Sequence, residues 1–275
     1  MLGQYSVLAP FYDSLNGGTF DYDGYADAVE KLLDKNGIPK GSLLLDLACG
    51  TGAMTLRLLK KGYDVIGVDL SPEMLGVCRE NCENEGFSPL LLCQDMCSLD
   101  LYGTVEAAVC CLDSVNYLTG DGELDILFSK LKNFISPGGL FIFDINTERK
   151  FGEIYANNVY TYDADGVFCV WQNSFDKKTR LTSILPFLSK KKRACTAAPR
   201  NISANAVTRS MKFRRRQKTT ASRLRRFVRT SDFPRRTAVN CGHIAFAEET
   251  NFRLSPHNSD DIIAQSDFPD PGIER

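Results

Sequence analysis

The chain has 275 residues, 43% of them hydrophobic and 24% charged, which suits one large globular domain or a domain with a small companion. Its formal net charge of −1, from 33 basic and 34 acidic residues, excludes a simple polyelectrolyte. The balance is uneven, however: residues 1–180 hold 14 basic and 26 acidic residues (net −12), residues 181–240 hold 17 basic and one acidic, Asp232 (net +16), and residues 241–275 hold 2 and 7 (net −5), so the chain is not one evenly built domain.

The first 30 residues contain no Lys or Arg, so no secretory n-region is readable. Leu43–Leu47 (LLLDL) is a short apolar run that reads as a buried strand. Ala53–Lys61 places Met54, Leu58 and Leu59 at helical spacing with two lysines at its end, and Gly62 stops it. Asp64–Val68 is a second strand. Ser71-Pro72-Glu73 is a helix start, with a capping Ser, Pro in the first turn and an acid beside it; that helix ends at Gly86. Pro89–Gln94 and Val105–Cys110 are the third and fourth strands. Asp121 is expected to cap a helix over Gly122–Ile135, closed by Pro137-Gly138-Gly139, and Leu140–Ile145 is the fifth strand. Strands alternating with helices, apolar on both faces, predict a doubly wound, mostly parallel α/β sheet covered on both sides. Ligands in such folds bind beyond the carboxyl ends of the strands.

The stretch that carries chemistry is Asp46-Leu47-Ala48-Cys49-Gly50-Thr51-Gly52, directly after the first strand. Gly50 and Gly52 permit backbone conformations closed to other residues and let a ligand approach the main chain. Asp69, at the end of the second strand, is placed to accept both hydroxyls of a ribose. Asp95, at the end of the third, is placed to meet an adenine edge. The dinucleotide fingerprint G-x-G-x-x-G fails, because Thr55 stands at its third glycine.

The four strand ends in order, Asp46…Gly50-Thr51-Gly52, Asp69-Leu70-Ser71-Pro72-Glu73-Met74, Gln94-Asp95-Met96 and Asp113-Ser114-Val115-Asn116-Tyr117, resemble the class I S-adenosylmethionine-dependent methyltransferases. Leu8–Asp13 with Asp21-Tyr22-Asp23, Phe143–Thr147 and Val170–Asn173 are similar to small-molecule methyltransferases of the bacterial cytosol, so the resemblance covers about residues 5–182. It implies a Rossmann-like fold with S-adenosylmethionine as cofactor, contacted by Asp46, Gly50, Gly52, Asp69, Leu70, Met74, Asp95 and Met96, with Tyr12 closing over it. It also implies lid helices in 1–40, a cofactor-binding core in 41–148 and the start of an antiparallel insertion in 149–182. The cofactor carries no phosphate, so a third glycine is unnecessary, and its cationic amino group suits an acid near the loop.

Plainer readings compete at single positions. Asp46 also serves as a strand-end acid, Met74 as core packing, Tyr5, Tyr12, Tyr22 and Tyr25 as a surface aromatic cluster, and Trp171 as a core or interface residue. Both histidines, His243 and His257, lie outside residues 1–180, so a general base there is a carboxylate or a tyrosine. Asp113, Asn116 and Tyr117 are the candidate catalytic residues.

The ten cysteines are scattered without a CxxC pair, which points to reduced thiols, no metal and a cytoplasmic protein. No apolar run approaches the ~18 residues that span a bilayer. The expected partner is a small-molecule methyl acceptor, with neither membrane nor nucleic acid, and oligomeric state is not readable. Two alternatives stand beside this: an RNA methyltransferase gripping phosphates with a basic tail, and a degenerate cofactor-binding module.

Residues 183–240 lack clear periodicity and carry Lys190–Arg193, Arg214–Arg216 and Arg223…Arg226. A nucleic-acid-binding arm, a solvated linker and a shifted translation frame each account for this. Read from the last base of each codon, Ser183–Lys190 can encode D-L-T-F-F-V-E, an alternating strand pattern that resembles the family's continuation. The expectation is that residues 183–275 form a non-native, irregular tail, leaving the closing strands of the sheet missing and this chain's activity in question.

Overall fold

The computed structural model describes residues 8–16, 20–146, 152, 155–164 and 167–176, and the strand residues 180–184, 186–189, 192–196, 200–203, 226–228 and 243–248. Tyr5, Thr147, Lys190, Lys191, Arg214–Arg216, Arg223 and Arg225 lie outside the described residues.

Two helices, α1 (Tyr12–Asn16) and α2 (Tyr22–Lys35), precede the alternating core. Asp21 caps α2 by accepting the Gly24 N–H at 2.9 Å. The core then runs β1 (Leu43–Leu47), α3 (Ala53–Lys60), β2 (Asp64–Asp69), α4 (Pro72–Asn84), β3 (Leu90–Cys93), β4 (Val105–Cys110), α5 (Glu123–Phe134) and β5 (Ile135–Ile145). Ser71 caps α4 as its sequence predicts, its Oγ accepting the Met74 N–H at 3.2 Å.

The five core strands pair in parallel in the order β5-β4-β1-β2-β3. Strand alternation divides the interior into two layers. Leu44, Val65, Val109 and Ile142 pack with Tyr25, Val29, Leu33 and Leu58 from α2 and α3. Leu45, Leu47, Phe141 and Phe143 pack with Leu127 and Leu131 of α5. Phe141 and Phe143 stack with centroids 4.8 Å apart. Each such side chain contributes about 1.5–3 kcal/mol by leaving water, so both faces of β1 and β4 hold the sheet together. This is the mostly parallel, Rossmann-like sheet expected from the alternating pattern.

Two local expectations are corrected. Asp121 does not cap α5: Gly122, at φ +84°, holds the N-cap position, and no side chain caps that end. Pro137-Gly138-Gly139 does not separate helix from strand but lies inside β5, which starts at Ile135. A register shift between Val105 and Ala107 absorbs the extra residues.

Beyond the core lie β6 (Val159–Ala164), β7 (Val167–Asp176), β8 (Arg180–Ile184), β9 (Pro186–Ser189), β10 (Lys192–Thr196), β11 (Arg200–Ser203), β12 (Arg226–Val228) and β13 (His243–Glu248). Strands β6–β11 form a second, antiparallel sheet. Of residues 183–275 the structure describes only the end of β8 and the short strands β9–β13. Strand β13 pairs antiparallel with β5 from His243↔Ile145 to Glu248↔Leu140, and β12 pairs with β13.

Candidate functional site

The end of β1 turns through the glycine loop into α3. Ala48, Gly50 and Gly52 have φ of +59°, +56° and +82°. At Gly52 a Cβ would run into Cys78 Sγ of α4, so both the backbone conformation and the close approach require glycine.

Asp46 is buried at the foot of this loop and accepts the Thr55 hydroxyl at 2.6 Å. Burial, reinforced by the nearby Asp69 charge and opposed by the Thr55 hydrogen bond, raises Asp46 to about 7. Thr55, the residue that breaks the dinucleotide fingerprint, is thus the partner of the loop's own acid.

Asp69 ends β2. Its Oδ2 accepts the Gly50 N–H and its Oδ1 the Ser71 N–H, both at 2.8 Å. Burial raises its carboxyl, and the backbone N–H bonds oppose the rise. A pyrophosphate site leaves loop N–H groups for phosphate oxygens, whereas here the Gly50 N–H is given to a carboxylate. Ionised, Asp69 repels phosphate and keeps lone pairs for hydroxyl or cationic donors.

Strand β3 is tied to β2 by the Gln94 N–H donating to Asp69 O at 3.0 Å. Asp95 follows, exposed, its Oδ1 accepting the Cys97 N–H at 2.7 Å to start the 3₁₀ turn Met96–Ser98. Leu70 is 67% exposed, unusual for a leucine flanked by ordered structure, and Met96 is partly buried. Met74, in the first turn of α4, is 2% exposed.

The candidate catalytic residues sit beyond β4. Leu112 and Asp113 are consecutive non-glycine residues at φ +60° and +52°, a costly conformation that the surroundings must impose. Asp144 of β5 imposes it: its Oδ2 accepts the Asp113 N–H at 2.8 Å while its Oδ1 accepts the hydroxyl of fully buried Tyr25 at 3.1 Å. Asn146 donates Nδ2 to Asp113 Oδ2 at 2.7 Å and its backbone N–H to Asn116 Oδ1 at 2.9 Å. Asn116 is fully buried and holds the turn Ser114–Tyr117 against β5; Asp113 and Tyr117 are half-buried.

Sequence reasoning did not single out Asp144, Asn146 or Tyr25 as supports of this turn, nor Asp13, Thr51 and Asn81 at the glycine loop. The Thr51 hydroxyl donates to Asp13 Oδ1 at 2.6 Å, and Asn81 Nδ2 lies 3.2 Å from Asp13 Oδ2 and 3.0 Å from Thr51 O. Tyr12 starts α1 next to Asp13 and is half-buried. Only the adjacency of Asp13 to Tyr12 offered a signal, since its partners lie 38 and 68 residues away.

Cys49, Cys78, Cys82, Cys93, Cys97, Cys110, Cys111 and Cys169 are free thiols. Contact with the Cys49 thiol, together with burial, pushes the Cys78 thiol above its ordinary range. Among the described residues no group of three or more His, Cys, Asp or Glu side chains could hold a metal ion, and no helix is long and apolar enough to cross a membrane.

The core is a parallel α/β sheet whose first loop gives the Gly50 N–H to the carboxylate that ends β2. Residues 44–139 match a family model described as a methyltransferase domain. The chain is 32% identical over 171 residues to "Putative methyltransferase YqeM" of Bacillus subtilis (strain 168), an alignment spanning 62% of this chain and 66% of that protein. It is 31% identical over 137 residues to the dTDP-3-amino-3,6-dideoxy-alpha-D-glucopyranose N,N-dimethyltransferase of Streptomyces fradiae, covering 49% and 51%. Among solved structures, an S-adenosylmethionine-dependent methyltransferase from Clostridium acetobutylicum ATCC 824 superposes with a TM-score of 0.71 at 27% identity, covering 89% of this chain and 98% of that one. The chain carries the domain of a class I S-adenosylmethionine-dependent methyltransferase, and S-adenosylmethionine is its cofactor.

Proposed function

We propose that the protein transfers the methyl group of S-adenosylmethionine to a small-molecule acceptor in the reducing cytoplasm. The observation that carries this reading is the Asp69 carboxylate bonded to the Gly50 N–H at the end of β2. The amino-sugar methyltransferase relative supports a small acceptor, and the free thiols support the compartment.

When bound, the cofactor supplies a methyl group already activated on a sulfonium. Asp69 holds the ribose hydroxyls with its remaining lone pairs. The glycine loop and Asp46 hold the methionine end, where an ionised Asp46 pairs with the cationic amino group. Asp95 meets the adenine amino edge, and Leu70, Met74 and Met96 provide apolar surroundings for the ring. Tyr12 covers the site from the N-terminal side. Asp113, fixed by Asp144 and Asn146, takes the proton that the acceptor loses, with Asn116 and Tyr117 shaping the transfer site.

Isothermal calorimetry of the full chain with S-adenosylhomocysteine tests the cofactor half, with saturable binding expected and its absence rejecting the site. A methyl-transfer screen with amino-sugar nucleotides, amino acids and a structured RNA tests the acceptor half. Turnover of RNA alone rejects the small-molecule reading.

A further inference from the structure

We propose that Asp13 is a positioning residue for the methyl-donor site, latching the N-terminal segment onto the glycine loop. The inference concerns the cofactor site and does not depend on which acceptor is used. Helix α1 has five residues, too few to hold a helical conformation by itself, so its placement depends on what it touches. Leu8 and Ala9 supply an apolar anchor, each 2% exposed. Asp13 supplies the polar one, and its two oxygens reach two different elements: Oδ1 accepts from Thr51 in the glycine loop, and Oδ2 faces the Asn81 amide on α4.

Asn81 also donates to Thr51 O, so the three residues close a triangle joining α1, the loop and α4. Thr51 lies between two glycines in left-handed conformation and is 2% exposed. The bend that shapes the loop around a ligand is the bend that presents the Thr51 hydroxyl to Asp13. A ligand that stabilises the loop therefore stabilises the latch, and the latch in turn fixes α1, which Tyr12 starts. That reciprocity is required of any two coupled equilibria.

The test measures the dissociation rate of S-adenosylhomocysteine from the full chain by stopped flow. Thr51→Val, which loses one charge-assisted hydrogen bond, is expected to speed release about 10-fold, and Asp13→Ala, which loses the Asn81 contact as well, at least as much. The double variant is expected to release no faster than Asp13→Ala alone, and Thr51→Ser to keep the original rate. The ligand-free melting temperature is expected to stay within a few degrees, separating the latch from general destabilisation. Should Asp13→Ala fail to fold, Asp13→Asn keeps the Thr51 bond and sets an amide against Asn81, and an intermediate rate is expected. Unchanged release in the single variants, or multiplying effects in the double, overturns the proposal.

Discussion

The Asp69 carboxylate and the Gly50 N–H, 2.8 Å apart, fasten the end of β2 to the glycine loop after β1. Asp69→Asn keeps the shape but turns one acceptor into an amide, which then opposes either the Gly50 or the Ser71 N–H. Affinity for S-adenosylhomocysteine is expected to fall about 10- to 100-fold, as for the loss of charge-assisted bonds. Calorimetry at fixed pH checks this, and an affinity within twofold of the original removes Asp69 from the site.

Asp46 gives the protein a pH dependence with a definite sign. Its folded value, about 7, lies above its ordinary 3.8, so the folded state favours the protonated form. The stability this contributes is fully present below pH ~4 and is lost as pH rises toward about 7. Cofactor affinity is expected to run the other way, rising through the same range as Asp46 ionises against a cationic amino group. Melting curves and calorimetry between pH 5 and 8 are expected to flatten in Asp46→Asn.

Gly52→Ala meets two obstacles, a φ of +82° and the Cys78 side chain. It is expected to cost about 1–3 kcal/mol in denaturant unfolding. Adding Cys78→Ala removes the Sγ collision but not the backbone strain, so recovery is expected to be partial. Full recovery would mean that the backbone conformation carries no cost.

Asp144→Ala removes the acceptor for both the Tyr25 hydroxyl and the Asp113 N–H. A loss of about 2–4 kcal/mol is expected, with Tyr25→Phe losing about 1 kcal/mol. Methyl transfer is expected to fall further than S-adenosylhomocysteine affinity, since the support lies under Asp113 and not under the glycine loop. Equal losses would place Asp144 in the general scaffold only.

Brief alkylation of the native protein is expected to modify exposed Cys93 before buried Cys78, Cys82, Cys110 and Cys111. Peptide mass mapping checks the order.

The reading-frame hypothesis is tested by resequencing the gene across Arg180–Ser183. A single-base difference that restores an alternating pattern after Thr182 would support it and would replace β12 and β13 by other sequence; an unchanged frame in an independent isolate rejects it and leaves β13 as the partner of β5.

The glycine loop and the strand-end acids were legible in the sequence because they are local. Asp46, Gly50, Gly52 and Asp69 sit at strand ends, and strand ends can be read from short apolar runs and glycines. The support of Asp113 was not legible, since Tyr25, Asp144 and Asn146 come from distant segments and only β5 pairing against β4 brings the last two to it. The start of β5 was misread because Pro137-Gly138-Gly139 signals a break, while the register shift at Val105/Ala107 lets the strand run through it. Asp121 was misassigned because a glycine at positive φ can start a helix without a side-chain cap.

Strand β13 lies between β5 and β12, so the sheet is not closed in the order in which it is made. During synthesis the row of N–H and C=O groups along β5 stays open until residue 248 has left the ribosome, almost the whole length of the chain. Until then Leu140–Ile145 is a bare apolar edge of the kind that recruits other strands. A nascent or shortened chain ending before His243 is thus exposed to aggregation through β5 even when its cofactor loop is already in place.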